Sequence, residues 1–286
     1  MMDAIYDGSS VFARAYYAAD TDPEATIPIA VKMVCHQLDA FSRVGKKADR
    51  LLFCWDGEAK RVKPRAPKPP EYAEARRKLS GVIQELFGAS QAWPPMAEAD
   101  DAVATAAFRS ESAGNDVVVV SGDKDLQQLL GGRISYWCCN TKDFLDRNLV
   151  LEKWRVKRPA QIAVALAILG DPGDAVPGIK GWGPKKVAKL FESVGVEMDF
   201  QSALDAVVAQ IPAELQPVFY ESLDLTLLDP SVPGVPDPAP VALADPYQSE
   251  EVLGDAYPAF LKTYARYTGV NLEDRLLEKF DNPTWI

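Results

Sequence analysis

The sequence predicts an α/β fold: a mainly parallel central sheet flanked by helices, followed by a helical part. Three observations predict it. From residue 1 to about 138, short β-branched or aromatic runs alternate with stretches of helical periodicity, the pattern of a chain that returns through a helix after each strand. From Pro159 onward the strand signals give way to helical ones. The length, 286 residues with 48% hydrophobic, suffices for one large domain with a smaller lobe.

Taken in order, Ala4 to Tyr6 reads as the first strand and Ile29 to Val44 as a helix. Leu51 to Trp55 is the second strand. In the helix expected over Pro70 to Phe87, Leu79, Val82, Ile83, Leu86 and Phe87 recur three and four apart and form one apolar face. Asp100 to Ser112 is helical, and Asp116 to Ser121 and Ile134 to Cys138 are strands. Beyond them lie helices over Ala160 to Leu169 and Pro184 to Ser193, separated by the turn-rich segment Gly170 to Gly183. Pro230 to Pro246 is expected to be extended and linker-like, and Glu250 to Tyr267 helical. The organisation expected is an α/β core over 1–158, a helical region over 159–229, and a Pro-rich linker with a tail over 230–286.

No run of 18 apolar residues occurs, and Met1 to Asp7 lacks the basic and apolar regions of a signal peptide, so the expectation is a soluble, cytoplasmic protein without a membrane partner. Cys35, Cys54, Cys138 and Cys139 form no Cys-x-x-Cys pair and read as reduced core thiols. The single His36 lies in a helix and reads as structural, which leaves histidine-based catalysis without a candidate. A net charge of −10 opposes a nucleic-acid partner at first sight. Nine of the acids, however, belong to the constellation below, and the basic residues are clustered.

Asp7 follows the first strand and Asp56 the second, where parallel strands deliver their carboxyl ends, the ligand edge of an open α/β sheet. Glu98, Asp100 and Asp101 stand at a helix start, and Asp123 and Asp125 follow the apolar run Val117 to Val120. Asp171 and Asp174 add two acids from the helical region. Any one of these is an ordinary cap or turn residue. Together at one edge they would repel and raise each other's pKa unless cations neutralise them. All-oxygen ligation favours Mg²⁺ or Mn²⁺, and two such ions can activate water and stabilise the leaving oxygen at a phosphodiester.

Gly178-Ile179-Lys180-Gly181-Trp182-Gly183-Pro184-Lys185-Lys186 combines tight turns with a helix start and lysines, a site for a phosphate backbone that carries no base information. Lys60 to Pro70 holds five basic residues, Arg61, Lys63, Arg65 and Lys68 among them, and no acid. Its prolines make it an extended loop over the acidic edge.

Glu98-Ala99-Asp100-Asp101, Gly122-Asp123-Lys124-Asp125 and the run from Gly170-Asp171 to Pro184-Lys185, found in that order, resemble the 5′-to-3′ exonuclease and flap endonuclease family, particularly its stand-alone bacteriophage members. The likeness spans roughly residues 3 to 195. It implies a PIN-like 5′ nuclease core with a helix-three-turn-helix DNA-binding part, acting on duplex DNA with 5′ ends or 5′ flaps, and it allows action on RNA/DNA hybrids. By resemblance Asp7, Asp56, Glu98, Asp100 and Asp101 serve one metal ion, and Asp123, Asp125, Asp171 and Asp174 a second. Gly178 to Gly183 would hold K⁺ through backbone carbonyls, with Gly178, Lys180, Gly181, Gly183, Lys185 and Lys186 on the DNA beside Arg61 and Lys68. The chain departs from the family pattern at Gly173, usually Ser, and Ala175, usually Asn.

The family's catalytic Lys and Arg admit two registers. Tyr72 with Arg76 fits the spacing but has Ala73 at the lysine, whereas Lys63 and Arg65 keep both cations one residue closer together. Lys63 and Arg65 are taken as catalytic, on the ground that Arg76 leaves too little length for an apolar helix before Glu98. The rivals are a PIN-type ribonuclease and a catalytically inactive DNA-binding protein. The sequence points to no particular protein partner.

Overall fold

The chain's structure, a computed structural model, describes residues 1–57, 68–246, 249 and 253–270. Its first strand, β1 (Met2–Asp7), lies between β2 (Arg50–Cys54) and β4 (Asp116–Ser121), parallel to both. The valines of β4 alternate between the two faces of the sheet. Val117 and Val119 join one apolar cluster, Val118 and Val120 the other. A strand buried on both faces reads as a continuous apolar run, which is why the Val117 to Val120 run was legible.

The remaining strands are β3 (Ser90–Ala92), β5 (Ile134–Cys138), β6 (Asp143–Phe144) and β7 (Ala239–Pro240). The order is β3-β2-β1-β4-β5-β6, with β7 antiparallel on β2 and β6 antiparallel on β5. Strand order therefore reverses at β1, and the carboxyl ends of β1 and β4 open the crevice used by ligands in such sheets. The three short strands that sequence reading missed are two or three residues long and without β-branched residues, so they carry no periodicity of their own.

One face carries α1 (Gly8–Ala18), α2 (Pro23–Arg43) and α3 (Pro70–Phe87). Helix α2 begins six residues before the expected Ile29, because Asp22 caps the amides of Glu24 and Ala25 and Pro23 occupies the first turn, where a missing N–H costs nothing. His36 sits exposed on α2. Helix α3 buries Ala75, Leu79, Ile83, Leu86 and Phe87 and stops at Gly88, whose φ of 67° suits glycine. At about 1.5–3 kcal/mol for each large side chain buried, that face anchors the helix firmly.

The other face carries α4 (Ala99–Ser112), then α5 (Arg147–Trp154), α6 (Ile162–Leu169), α7 (Pro184–Glu192), α8 (Phe200–Val208) and α9 (Gln216–Thr226). The apolar residues of 159–229 share one cluster with the sheet, so the helical region extends the core across the expected boundary at 158.

The segment expected to be a linker is extended but packed. Asp229 and Val232 bond to Asp101 and Thr105 on α4, the Arg109 guanidinium donates to the carbonyls of Val235 and Pro236, and β7 then joins the sheet. Prolines removed helix and ladder donors from this stretch, and α4 supplies the partners instead. A last helix, α10 (Tyr257–Thr268), packs on α2. All four cysteines are buried free thiols, and no described helix is long and apolar enough to cross a membrane.

Candidate active site

Three serine hydroxyls tie the strand ends together. Ser9 Oγ accepts from the amide of Asp56 (3.0 Å), Ser10 Oγ from that of Gly122 (3.4 Å), and Ser121 Oγ from that of Asp123 (3.0 Å) while donating to Asp7 Oδ2 (2.8 Å). Gly8 lets the β1–α1 turn lie on Trp55, since a Cβ there would sit 2.9 Å from the indole. Gly57 crosses the 94–97 turn so closely that a Cβ would lie 1.9 Å from the Pro94 carbonyl oxygen. Sequence reading missed these serines, because hydroxyls in turns are too common to stand out.

The strand ends open into a cavity of about 800 Å³ whose wall contains Asp7, Asp56, Glu98, Asp100 and Asp123. Asp7 caps α1 through the amide of Ser10 and is almost fully buried. Burial first, and then the charges of Asp56 and Asp123, push its carboxyl up to about 7 against the bonds from Ser10 and Ser121. Asp56 accepts from the amide of Ala99 (3.1 Å), and Glu98 is buried at the N-cap of α4.

Asp101, predicted for the same group, is buried elsewhere: its Oδ1 accepts from the amide of Asp229 (2.8 Å), and it is absent from the cavity wall. Glu98 is the N-cap, with extended backbone, so standing at one helix start does not put it on one helix face with Asp101.

A second carboxylate group adjoins the first. Asp125, Asp171 and Asp174 each bring an oxygen within 4.8 Å of the others. Asp123 links the two groups, since its Oδ1 accepts from the amide of Asp125 (2.9 Å). Lys124 donates to Asp171 Oδ2 at 2.5 Å. Burial pushes the Asp171 carboxyl up, yet the bond and charge of Lys124 carry it below its ordinary value. These donors are carboxylate oxygens without His or Cys, and they fit a hard divalent cation. Asp7 fits it too, because burial beside two acids disfavours its charged form until a cation compensates.

The same cavity is lined by the cations Arg14, Lys68, Lys124 and Lys153. Arg14 donates to Asn140 Oδ1 and to the Cys139 carbonyl (2.9 Å). Lys68 donates to the Tyr17 hydroxyl (2.5 Å) and lies over the rings of Tyr17 and Tyr72. Arg61, Lys63 and Arg65 lie outside the described residues. Arg76 sits inside α3 with Nη1 3.7 Å from Asp56 Oδ2 and a donated bond to the Asp56 carbonyl (3.3 Å). Contrary to the expectation that Arg76 leaves too little length, the apolar helix surrounds this residue and needs no separate room after it.

Between α6 and α7 the chain doubles back. Asp171 and Val176 exchange backbone bonds (3.0 and 2.9 Å), and Gly178 passes so close to Gly170 that a Cβ would lie 2.5 Å from its nitrogen. Ala175 takes φ 55°, a left-handed conformation that Asn tolerates better than Ala. Lys180, Gly181 and Lys185 are exposed, Gly183 is the half-buried N-cap of α7, and Lys186 lies 4.5 Å from the centre of the Trp182 ring.

The chain resembles known proteins along most of its length. The 5′-3′ exonuclease N-terminal resolvase-like domain matches residues 4–155. Flap endonuclease Xni of Shewanella putrefaciens is 32% identical over 199 residues, 66% of this chain and 73% of that protein. Its counterpart in Shewanella baltica is 30% identical over 243 residues, 80% of this chain and 90% of that protein. Among solved structures, the bacteriophage T5 D15 protein co-crystallised with metal ions superposes with a TM-score of 0.62 over 92% of this chain and 99% of the other. At 16% identity that likeness speaks for the fold alone.

Proposed function

The chain belongs to the 5′-3′ exonuclease family, and from that premise we propose that it is a divalent-metal-dependent 5′ nuclease, a phosphodiester hydrolase acting on DNA at 5′ ends and 5′ flaps. The observation that carries this reading is the meeting of Asp7, Asp56, Glu98, Asp100 and Asp123 in one cavity beside the group Asp125, Asp171 and Asp174. So many anions next to a phosphodiester would repel it unless cations stood between them.

In this reading Asp7, Asp56, Glu98 and Asp100 would hold one ion, and Asp123, Asp125, Asp171 and Asp174 a second, with Mg²⁺ or Mn²⁺ suited to the oxygen donors. Such a pair supplies an activated water and a counter-charge for the leaving oxygen. The chain's own residues do the rest. Ser9, Ser10 and Ser121 hold the acids in register, and Asp101 secures α4 to the 229–237 strap. Lys68 and Arg14 line the same cavity as the acids, where cations stabilise charge developing on phosphate.

The α6–α7 turn, with Lys180, Lys185 and Lys186, grips a duplex backbone. The carbonyls of Gly178 to Gly183 are its candidate K⁺ ligands. A grip on phosphate reads neither base nor sugar, so RNA paired to DNA falls in the same substrate class.

The test incubates the protein with end-labelled duplex, 5′-flap DNA, RNA/DNA hybrid and single-stranded RNA, under Mg²⁺, Mn²⁺ or EDTA. Metal-dependent products from 5′ ends or flap junctions are expected. Duplex binding without cleavage in either metal overturns the reading, and a preference for single-stranded RNA turns it into a ribonuclease. The same assay on Lys63→Ala, Arg65→Ala and Arg76→Ala decides the register, with a loss of about 100-fold expected in whichever supplies the cations.

A further inference from the structure

Asp56 also lines a second cavity, of about 400 Å³, whose wall includes Arg76, Arg77, Ser80, Trp93 and Gly57. Asp56 lines both, so whatever occupies the second lies next to the reacting centre. Its wall is rigidly built. Trp55 and Trp93 stack at 5.1 Å with 9° between their planes, and the Arg76 guanidinium lies 5.0 Å from the centre of the Trp93 ring. Ser80 Oγ and the Gln91 side chain tie both indole N–H groups, at 3.4 and 2.7 Å.

Because Trp55 and Arg76 both pack on Trp93, the cavity offers a base little aromatic surface. It offers guanidinium donors. Arg76 and Arg77 both line it, and Arg77 is exposed. Two guanidiniums suit a doubly charged phosphate monoester rather than a singly charged diester, and the second offsets the repulsion from Asp56.

We propose that this cavity receives the terminal 5′-phosphate of the strand being cut, so that the protein distinguishes phosphorylated from hydroxyl 5′ ends without reading the base. The identity of the strand rests on the 5′ nuclease reading, whereas the phosphate-monoester site does not.

The first arm is calorimetry in EDTA, which removes phosphate binding through metal, with dAMP, dTMP and deoxyadenosine. The two nucleotides should bind alike and deoxyadenosine should not. Arg77→Ala should weaken nucleotide binding by about tenfold, with Arg77→Lys between. No nucleotide binding, or equal binding by Arg77→Ala, overturns the site. The second arm compares cleavage of one duplex with a 5′-phosphate or a 5′-hydroxyl. The parent should prefer the phosphate, and Arg77→Ala should cut both ends alike. Equal cutting by the parent overturns the proposal. Cleavage of neither, with nucleotide binding intact, would instead sink the nuclease reading and leave the site standing.

Discussion

At the carboxyl edge of the sheet the chain gathers five acids around one cavity, whereas from Pro177 to Lys189 at the α6–α7 turn it carries four lysines and no acid. Both regions face phosphate in the proposed function, by opposite means. The turn presents positive charge and helix-start amides directly, and its geometry is complete within the chain. The edge presents negative charge, which attracts phosphate only through bound cations and destabilises the protein without them. Holding and cutting are thus assigned to separate elements, and each can be removed alone.

The largest expected effect is at the edge. Asp123→Asn keeps the Oδ1 acceptor for the Asp125 amide but removes the charge shared by both carboxylate groups. Cleavage should fall by about 10³-fold or more in single-turnover assays, with duplex affinity by gel shift unchanged. Activity equal to the parent's would break the comparison at its stronger side.

Next is the self-repulsion of the edge. With the Asp7 carboxyl at about 7 in the folded chain and 3.8 when unfolded, the native state binds the proton more tightly. Metal-free protein should therefore lose stability as pH rises from about 4 to about 7, by at most about 4 kcal/mol, and level off above. Saturating Mg²⁺ should reverse the trend, and Asp7→Asn should flatten it in EDTA. A melting temperature in EDTA that rises across that window would show the acids already neutralised by the protein.

At the turn, Lys185→Ala with Lys186→Ala should weaken duplex binding by about tenfold and reduce the slope of log affinity against log salt by about 2, with kcat at saturating substrate unchanged. A lowered kcat with intact affinity would mean that the turn acts in the chemistry. The smallest effect is local. Ala175→Asn relieves left-handed strain and should raise the unfolding free energy, read from urea melts, by no more than about 1 kcal/mol.

Much of this was legible in one dimension because it is local. The alternation of strands and helices, the apolar face Leu79-Ile83-Leu86-Phe87, and the acids at the ends of β1, β2 and β4 all follow from periodicities of two and 3.6 residues and from the rule that open parallel sheets bind ligands at one edge. Residue identity also determined the donor set of the candidate site, all oxygen and no histidine.

What tertiary structure alone decided concerns direction and company. It turned Asp101 away to the strap over α4, put Arg76 beside Asp56 from within a helix, and brought Ser9, Ser10 and Ser121 together from segments more than a hundred residues apart. It also packed the Pro-rich segment onto α4 and built the arginine-lined cavity beside Asp56. The physical reason is common to all of them. A side chain's pointing and its partners depend on which distant surface must be covered and which distant donor left satisfied, and spacing along the chain carries no record of either.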